Sequence, residues 1–290
     1  MKKIAIVTDS NSGISQNEAA QMGVHVLPMP FSIDGKVYYE GVDISFDEFF
    51  ELQENDADIS TSQPSIAEVA SLWDKLLEEY ESIVYIPMSS SLSSSYQTAM
   101  VVAQDYEGKV FVVDNKRISV TQKRSVQDAL ELAEKWYDAE KIKDILEETQ
   151  HDNSIYITLE TLKYLKKGGR ITPAAAAIGT ILKIKPILQI QGGKLDAFSK
   201  ARTKKAAKKI MIDAIKKDMV ERFGSKEDAS GIYMQMAYTG DDKEINAFKE
   251  EVLEMFPGIT IDCSHLSLSI SCHIGKGAIA IACTKKLDIQ

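Results

Sequence analysis

The stretch "SIVYIPMSSSLSSSYQTA", residues 82–99, decides how the rest of the chain is read. Its first half is a short apolar run of the kind buried on both faces of a parallel sheet. From Ser93 a helical pattern starts and continues to about residue 106, so a strand passes into a helix through a turn holding six serines. In open α/β sheets ligands bind beyond the carboxyl ends of the strands, and a helix N-terminus offers N–H groups and a positive dipole end to an anion. A flexible linker is the poorer reading, because both flanks are apolar and periodic. N-capping accounts for one serine and leaves the others without a reason.

The same alternation spreads outward. Strands are expected at 3–10, 24–33, 82–89 and 109–115, and helices at 15–23, 65–80, 93–106 and 121–139. Two helices open on Ser-x-x-Glu, at Ser15/Glu18 and Ser65/Glu68, as capping boxes do, and Gly23 closes the first. This pattern predicts an α/β fold built on a doubly wound, mostly parallel sheet. Near residue 150 the pattern changes. A helix ends near His151, a strand follows at 154–159, and the next helix places its lysines before Gly168 and Gly169, as a cationic C-terminus should. Thr172 and Pro173 then open "AAAAIGTILKI", and a hairpin is expected around Gly192-Gly193. A helix at 203–224, a strand at 231–240, a helix at 243–258 and strands near 259–271 and 277–284 complete an α+β sandwich. Two domains are therefore expected, 1–150 and 151–290.

Composition narrows the function. A net charge of −9 and a pI near 5.1 argue against a nucleic-acid surface, because neutralising phosphates needs clustered excess Lys and Arg. "MKKIAIVTDS" has too short an apolar run for a signal peptide, and no apolar run approaches the roughly 20 residues needed to cross a bilayer. A soluble, cytoplasmic protein is expected. Cys263, Cys272 and Cys283 are odd in number and contain no C-x-x-C pair, which disfavours a disulfide framework. Cys263, His265, Cys272 and His273 fit no zinc-finger spacing, and on a strand the last two would face opposite ways, so no metal is expected.

Two other hydroxyl turns repeat the logic of the first. "TDSNSG" (8–13) ends the first strand, and "DISTSQPSIAEV" (58–69) places Thr61 and Ser62 before Gln63-Pro64, although alone it reads as a helix start. No G-x-S-x-G elbow selects a nucleophile among the serines, and His25, His151, His265 and His273 single out no triad. No phosphate-binding Walker motif occurs. "GKGAIA" (275–280) matches a dinucleotide fingerprint but lies too near the C-terminus to open a βαβ unit. No cofactor is expected. Basic residues gather at 163–170 and 199–209, where lysines normally form a solvated helix face. Arg170 and Arg202 lie outside helix interiors, where a planar guanidinium fork can reach a phosphate or a partner's carboxylates.

Taken in order, "TDSNSG", "STSQPS", "SSSLSSSYQTA", "LKKGGRI", "KARTKKA" and "CHIGKGA" resemble the motifs of the DegV family, and more narrowly those of the fatty-acid-binding subunits of bacterial fatty acid kinase. The resemblance implies a two-domain protein that buries a long-chain fatty acid between its domains. By the same resemblance Thr61, Ser93 and His273 are carboxylate ligands, Ser62 adjoins them, and Ser94 takes a position whose backbone N–H faces the carboxylate. Arg170 and Arg202 match arginines near the pocket mouth, where an ATP-binding kinase subunit is expected to dock. A carrier of this kind presents the carboxylate for phosphorylation and then holds the acyl phosphate, with transient contact to a membrane surface. Tail burial at about 0.8 kcal/mol per methylene, roughly 12 kcal/mol gross for a C16 chain, makes such a ligand slow to leave.

The chain departs from the family pattern at "DNKRISVTQ" (114–122), which lacks the usual glycines and gains Lys116 and Arg117, and at Cys272, Ile274 and Lys276. Two other readings stay open: a serine esterase or thioesterase using Ser93 and His273, and a binder of a small phosphorylated or carboxylate ligand.

Overall fold

A computed structural model describes residues 2–178, 184–226 and 228–288. The described chain forms two compact units that divide between His151 and Asp152.

In chain order the first unit comprises β1 (Lys2–Asp9), α1 (Gln16–Met22), β2 (His25–Leu27), β3 (Pro30–Ile33), β4 (Lys36–Tyr39), α2 (Phe46–Glu54), β5 (Ile59–Thr61), α3 (Ile66–Leu77), β6 (Tyr80–Ile86), α4 (Ser95–Ala103), β7 (Val110–Val112), α5 (Val120–Glu134) and α6 (Ala139–Glu148). Strands β2-β1-β6-β7 form a wholly parallel sheet in that order. Successive residues of a strand face opposite ways, and here both faces are covered. Ala5, Val7, Ile83, Tyr85 and Val112 pack with Val69 and Trp73 of α3 and Val102 of α4. The alternate residues Ile6, Val84 and Ile86 are also buried, on the side where α5 and α6 meet β1 and β6. The doubly wound sheet is thus present.

Several elements differ from expectation. The run 24–33 is two strands, not one: Pro28 has no N–H for a ladder, the Met29 N–H donates to Ser10 Oγ (3.0 Å), and β3 leaves to form a small antiparallel sheet of order β4-β3-β5. Of that sheet β4 and β5, and with them α2, capped by Ser45 through the Glu48 N–H at 3.3 Å, lie where no element was expected. The helix expected over 121–139 stops at Glu134, Trp136 takes a left-handed φ of 67°, and Asp138 caps a separate α6. Ser65 and Glu68 form a full capping box, whereas Glu18 leaves its box to pair with Lys123 Nζ at 2.8 Å.

The second unit comprises β8 (Asn153–Thr158), α7 (Lys163–Gly168), α8 (Pro173–Ile178), β9 (Lys185–Ile190), β10 (Asp196–Ala201), α9 (Lys204–Glu221), β11 (Ile232–Tyr238), α10 (Asp242–Met255), β12 (Ile261–His265), α11 (Leu268–Ile274) and β13 (Ile279–Lys285). Its sheet has the order β10-β9-β8-β13-β11-β12, antiparallel except between β11 and β12. Met211, Ile215 and Met219 of α9 and Ile245, Phe248 and Val252 of α10 join Met234, Met236 and Ile281 in its core. The Gly192-Gly193 hairpin forms, with a register shift between Ala197 and Ser199. Of "AAAAIGTILKI", 179–183 lie outside the described residues.

The strand expected to run to about 271 ends at His265, and Ser267 caps α11 through the Ile270 N–H at 3.2 Å. Cys272 and His273 therefore lie on a helix, not on a strand that would turn them to opposite faces.

Candidate functional site

The three hydroxyl turns of the first unit differ in how they use their side chains. At the end of β1 the turn is consumed internally. Ser12 Oγ donates to Asp9 O (2.9 Å), Ser10 Oγ holds the Met29 N–H, and the Thr8 hydroxyl donates to Ile86 O (2.7 Å). Asp9 is fully buried and accepts from the N–H groups of Met88 (2.8 Å) and Asn11 (3.0 Å) and from Gln122 Nε2 (3.1 Å). Burial raises its pKa, against the opposing effect of those hydrogen bonds. Nothing in its sequence neighbourhood marked Asp9 as the residue that ties the end of β1 to the start of the serine turn.

The serine turn itself is built on Ser89, whose carbonyl accepts from the N–H groups of Leu92 (3.0 Å) and Ser93 (3.1 Å) and whose N–H donates to Arg117 O (2.9 Å). Ser90 donates its hydroxyl to Asp114 Oδ2 at 2.7 Å. Ser93 Oγ lies 2.8 Å from Ser95 Oγ and accepts the Ser95 N–H at 3.2 Å, so it covers the first amide of α4. Ser94 is the N-cap residue of α4 by position, yet its hydroxyl makes no capping bond and is exposed. This helix start lies beyond the carboxyl end of β6, where a parallel sheet binds ligands.

Thr61 ends β5, half-buried, in register with Phe31, and exposed Ser62 donates its N–H to Pro30 O at 3.3 Å. Gln63 Nε2 donates to Thr98 Oγ1 at 2.7 Å. The "TSQP" turn and the helix that follows the serine turn are thereby joined, a pairing that no local pattern marks. The divergent loop 114–122 buries Arg117, whose guanidinium donates to Ser125 Oγ (3.0 Å) and Thr149 O (2.8 Å) beside Asp128. Arg124 meets the same carboxylate at 2.8 Å, and burial raises the Asp128 pKa against the pull of both arginines.

In the second unit two motifs converge. His273 lies in the last turn of α11 against Gly168, the last residue of α7. A Cβ on Gly168 would stand 2.1 Å from His273 Nδ1, so the imidazole rests on bare backbone. Arg170 is half-buried and its guanidinium donates to Gly168 O. Burial, and after it the Arg170 charge, lowers the His273 pKa from 6.5 to about 4, so the imidazole is neutral at pH 7. A histidine with a depressed folded pKa binds fewer protons folded than unfolded. Its contribution is complete above about pH 6.5 and is lost as pH falls toward 4. That contribution is on the order of 3 kcal/mol. Denaturant titrations across this window should show wild-type stability falling by that order relative to a His273→Gln variant; parallel curves would contradict the assignment.

Arg202 is exposed, just before Thr203, which caps α9 through the Ala206 N–H at 3.1 Å. Of the lysines around it, Lys204 pairs with Glu160 (3.0 Å) and Glu244 (2.8 Å), Lys209 pairs with Asp213 (2.7 Å), and Lys208 lies over the Phe248 ring. His265 is held by Tyr238 OH at 2.9 Å, and among the described residues no group of three or more His, Cys, Asp or Glu is placed to hold a metal. "GKGAIA" leads into β13, not into a helix. Among the described residues no helix is long and apolar enough to cross a membrane.

The fold agrees with what the chain resembles. The family model described as "Uncharacterised protein, DegV family" matches residues 3–286, and the chain belongs to the DegV family. A DegV domain-containing protein of Staphylococcus aureus is 32% identical over 286 residues, covering 99% of this chain and 100% of the relative. A fatty-acid-binding DegV family protein from Thermus thermophilus has a TM-score of 0.88 and 30% identity, covering 98% of this chain and 100% of that one. DegV, a fatty acid binding protein from Bacillus subtilis, has a TM-score of 0.83 and 27% identity over 99% of this chain and 100% of its own.

Proposed function

We propose that this protein is a cytoplasmic carrier that buries a long-chain fatty acid, with Ser93 and Thr61 as hydroxyl ligands of the carboxylate, Ser62 and the Ser94 N–H beside them, and His273 as a further partner. The observation that carries this is the serine turn at the carboxyl end of β6, where Ser93 covers the Ser95 N–H and the Ser94 hydroxyl makes no capping bond to α4. The fatty-acid-binding relatives from Thermus thermophilus and Bacillus subtilis support the choice of ligand. A neutral imidazole suits this role, since it donates one N–H to a carboxylate without the cost of a buried charge. We assign to a separate ATP-binding kinase the phosphorylation of the presented carboxylate, with Arg170 and Arg202 as its docking residues. The absence of a Walker motif from the sequence fits a chain that does not bind the nucleotide itself.

Native mass spectrometry of the purified protein, with organic extraction, tests the reading. A stoichiometric saturated or unsaturated acid of roughly C14–C18 length is expected. Ser93→Ala and His273→Ala should each weaken retention about tenfold or more, the scale of one hydrogen bond to a charged group. A wild-type protein that is empty and takes up no added fatty acid overturns it.

A further inference from the structure

The serine turn carries an acid and a base that hydroxyl capture does not explain. Asp114, two residues beyond β7, accepts both the hydroxyl (2.7 Å) and the N–H (3.3 Å) of Ser90. A carboxylate so placed opposes anion binding: a fixed negative charge within about 8 Å of an anion, at the effective dielectric of a half-buried site, weakens its binding by roughly tenfold or more. Lys116 offsets that charge. Its Nζ lies 2.5 Å from Asp114 Oδ2 and also bonds Ser90 Oγ.

Three features mark this pairing as built. Both side chains are mostly shielded, at 26% and 17% exposure, so solvent screens them less than a surface pair. Lys116 holds a left-handed φ of 56°, a conformation non-glycine residues take mainly where the surroundings impose it. Glu147, which accepts the Asp114 N–H at 2.9 Å, has its own cation in Lys143 at 2.7 Å. The balance at Asp114 therefore rests on Lys116.

We infer that Lys116 is a positioning residue that sets the charge of the serine turn: by neutralising Asp114 it keeps the turn receptive to a carboxylate and favours anionic over neutral acyl ligands. This rests on the fatty-acid reading above. The test measures binding of hexadecanoic acid and of hexadecanol to the delipidated full-length chain at low and high salt. Lys116→Gln should weaken the acid about tenfold at low salt, less at high salt, and leave the alcohol unchanged. Lys116→Arg should retain acid binding, Asp114→Asn should strengthen it, and the double variant Asp114→Asn/Lys116→Gln should return to near wild type. Acid binding unchanged in Lys116→Gln, or acid and alcohol lost together, overturns the inference while the lipid reading stands. Wild-type protein that takes up neither ligand overturns both, and shows this before any variant is made.

Discussion

Replacing Gly168 by alanine is expected to drive the His273 imidazole from its place and to abolish any function that depends on it. The added Cβ would stand 2.1 Å from Nδ1, 2.7 Å from Cε1 and 3.2 Å from Cγ. Turning the ring about its axis can carry Nδ1 and Cε1 away but leaves Cγ, the ring's root, 3.2 Å from the new Cβ, so it relieves the clash only in part. Full relief needs a change in the first torsion, because α11 cannot retreat: Ser271, Cys272 and Ile274 on either side of His273 are buried. Overpacking of this kind costs about 1–3 kcal/mol. The ring's departure has its own signature: the His273 pKa should rise from about 4 toward its ordinary 6.5 as burial and the Arg170 charge are left behind. Histidine ring NMR across pH 3–8 reads this directly. Combining Gly168→Ala with His273→Ala should recover most of the lost stability, since the clash needs both side chains. A Gly168→Ala protein as stable as wild type, with His273 still titrating near 4, would refute the contact.

Much of the scaffold was legible because its signals are local. Ser65, Glu68 and the apolar positions of α3 specify a helix by themselves, and Gly192-Gly193 specifies a hairpin. Where the pattern misled, a competing local period was at work. Leu266, Leu268 and Ile270 alternate with serines as a half-buried strand would, and only Ser267 as a cap announces the short α11. Helix α2 carried a usable signal, Phe46, Phe49, Phe50 and Gln53 at helical spacing behind Ser45, but its mixture of acids and aromatics reads as a loop when strands are sought. The site divides the same way. Its hydroxyl turns are visible because serines cluster in sequence, and the roles proposed for Ser93, Thr61 and His273 rest on family resemblance. The contacts of Gly168 with His273, Gln63 with Thr98 and Asp114 with Lys116 and Ser90 depend on backbone geometry that no local pattern encodes.

Asp9 should prove the most sensitive residue of the first unit. Truncation to alanine leaves the N–H groups of Met88 and Asn11 without their acceptor and removes one of the three oxygens that hold the Gln122 amide. Each buried donor left unsatisfied costs about 1–3 kcal/mol, partly offset by removing a carboxylate that burial penalises, so a net loss of roughly 3 kcal/mol is expected. Asp9→Asn keeps one acceptor but can turn an amide N–H toward Met88, and should lose about half as much. The pH dependence distinguishes a true buried acid from a filler of space. The folded pKa of Asp9 is raised above its ordinary 3.8, so its ionisation costs stability. That stability is present below the unfolded pKa and is lost as pH rises through the folded one. The deficit of Asp9→Asn relative to wild type should therefore widen as pH is lowered, the reverse of the His273 effect. Denaturant unfolding at several pH values measures it, and a deficit that narrows toward acid would show that the carboxylate is stabilised as the anion. Because Met88 starts the serine turn, Asp9→Asn should also weaken fatty-acid retention more than Ile83→Val, a core change in the same sheet. Equal retention in the two variants would mean that the turn holds its shape without the carboxylate beneath it.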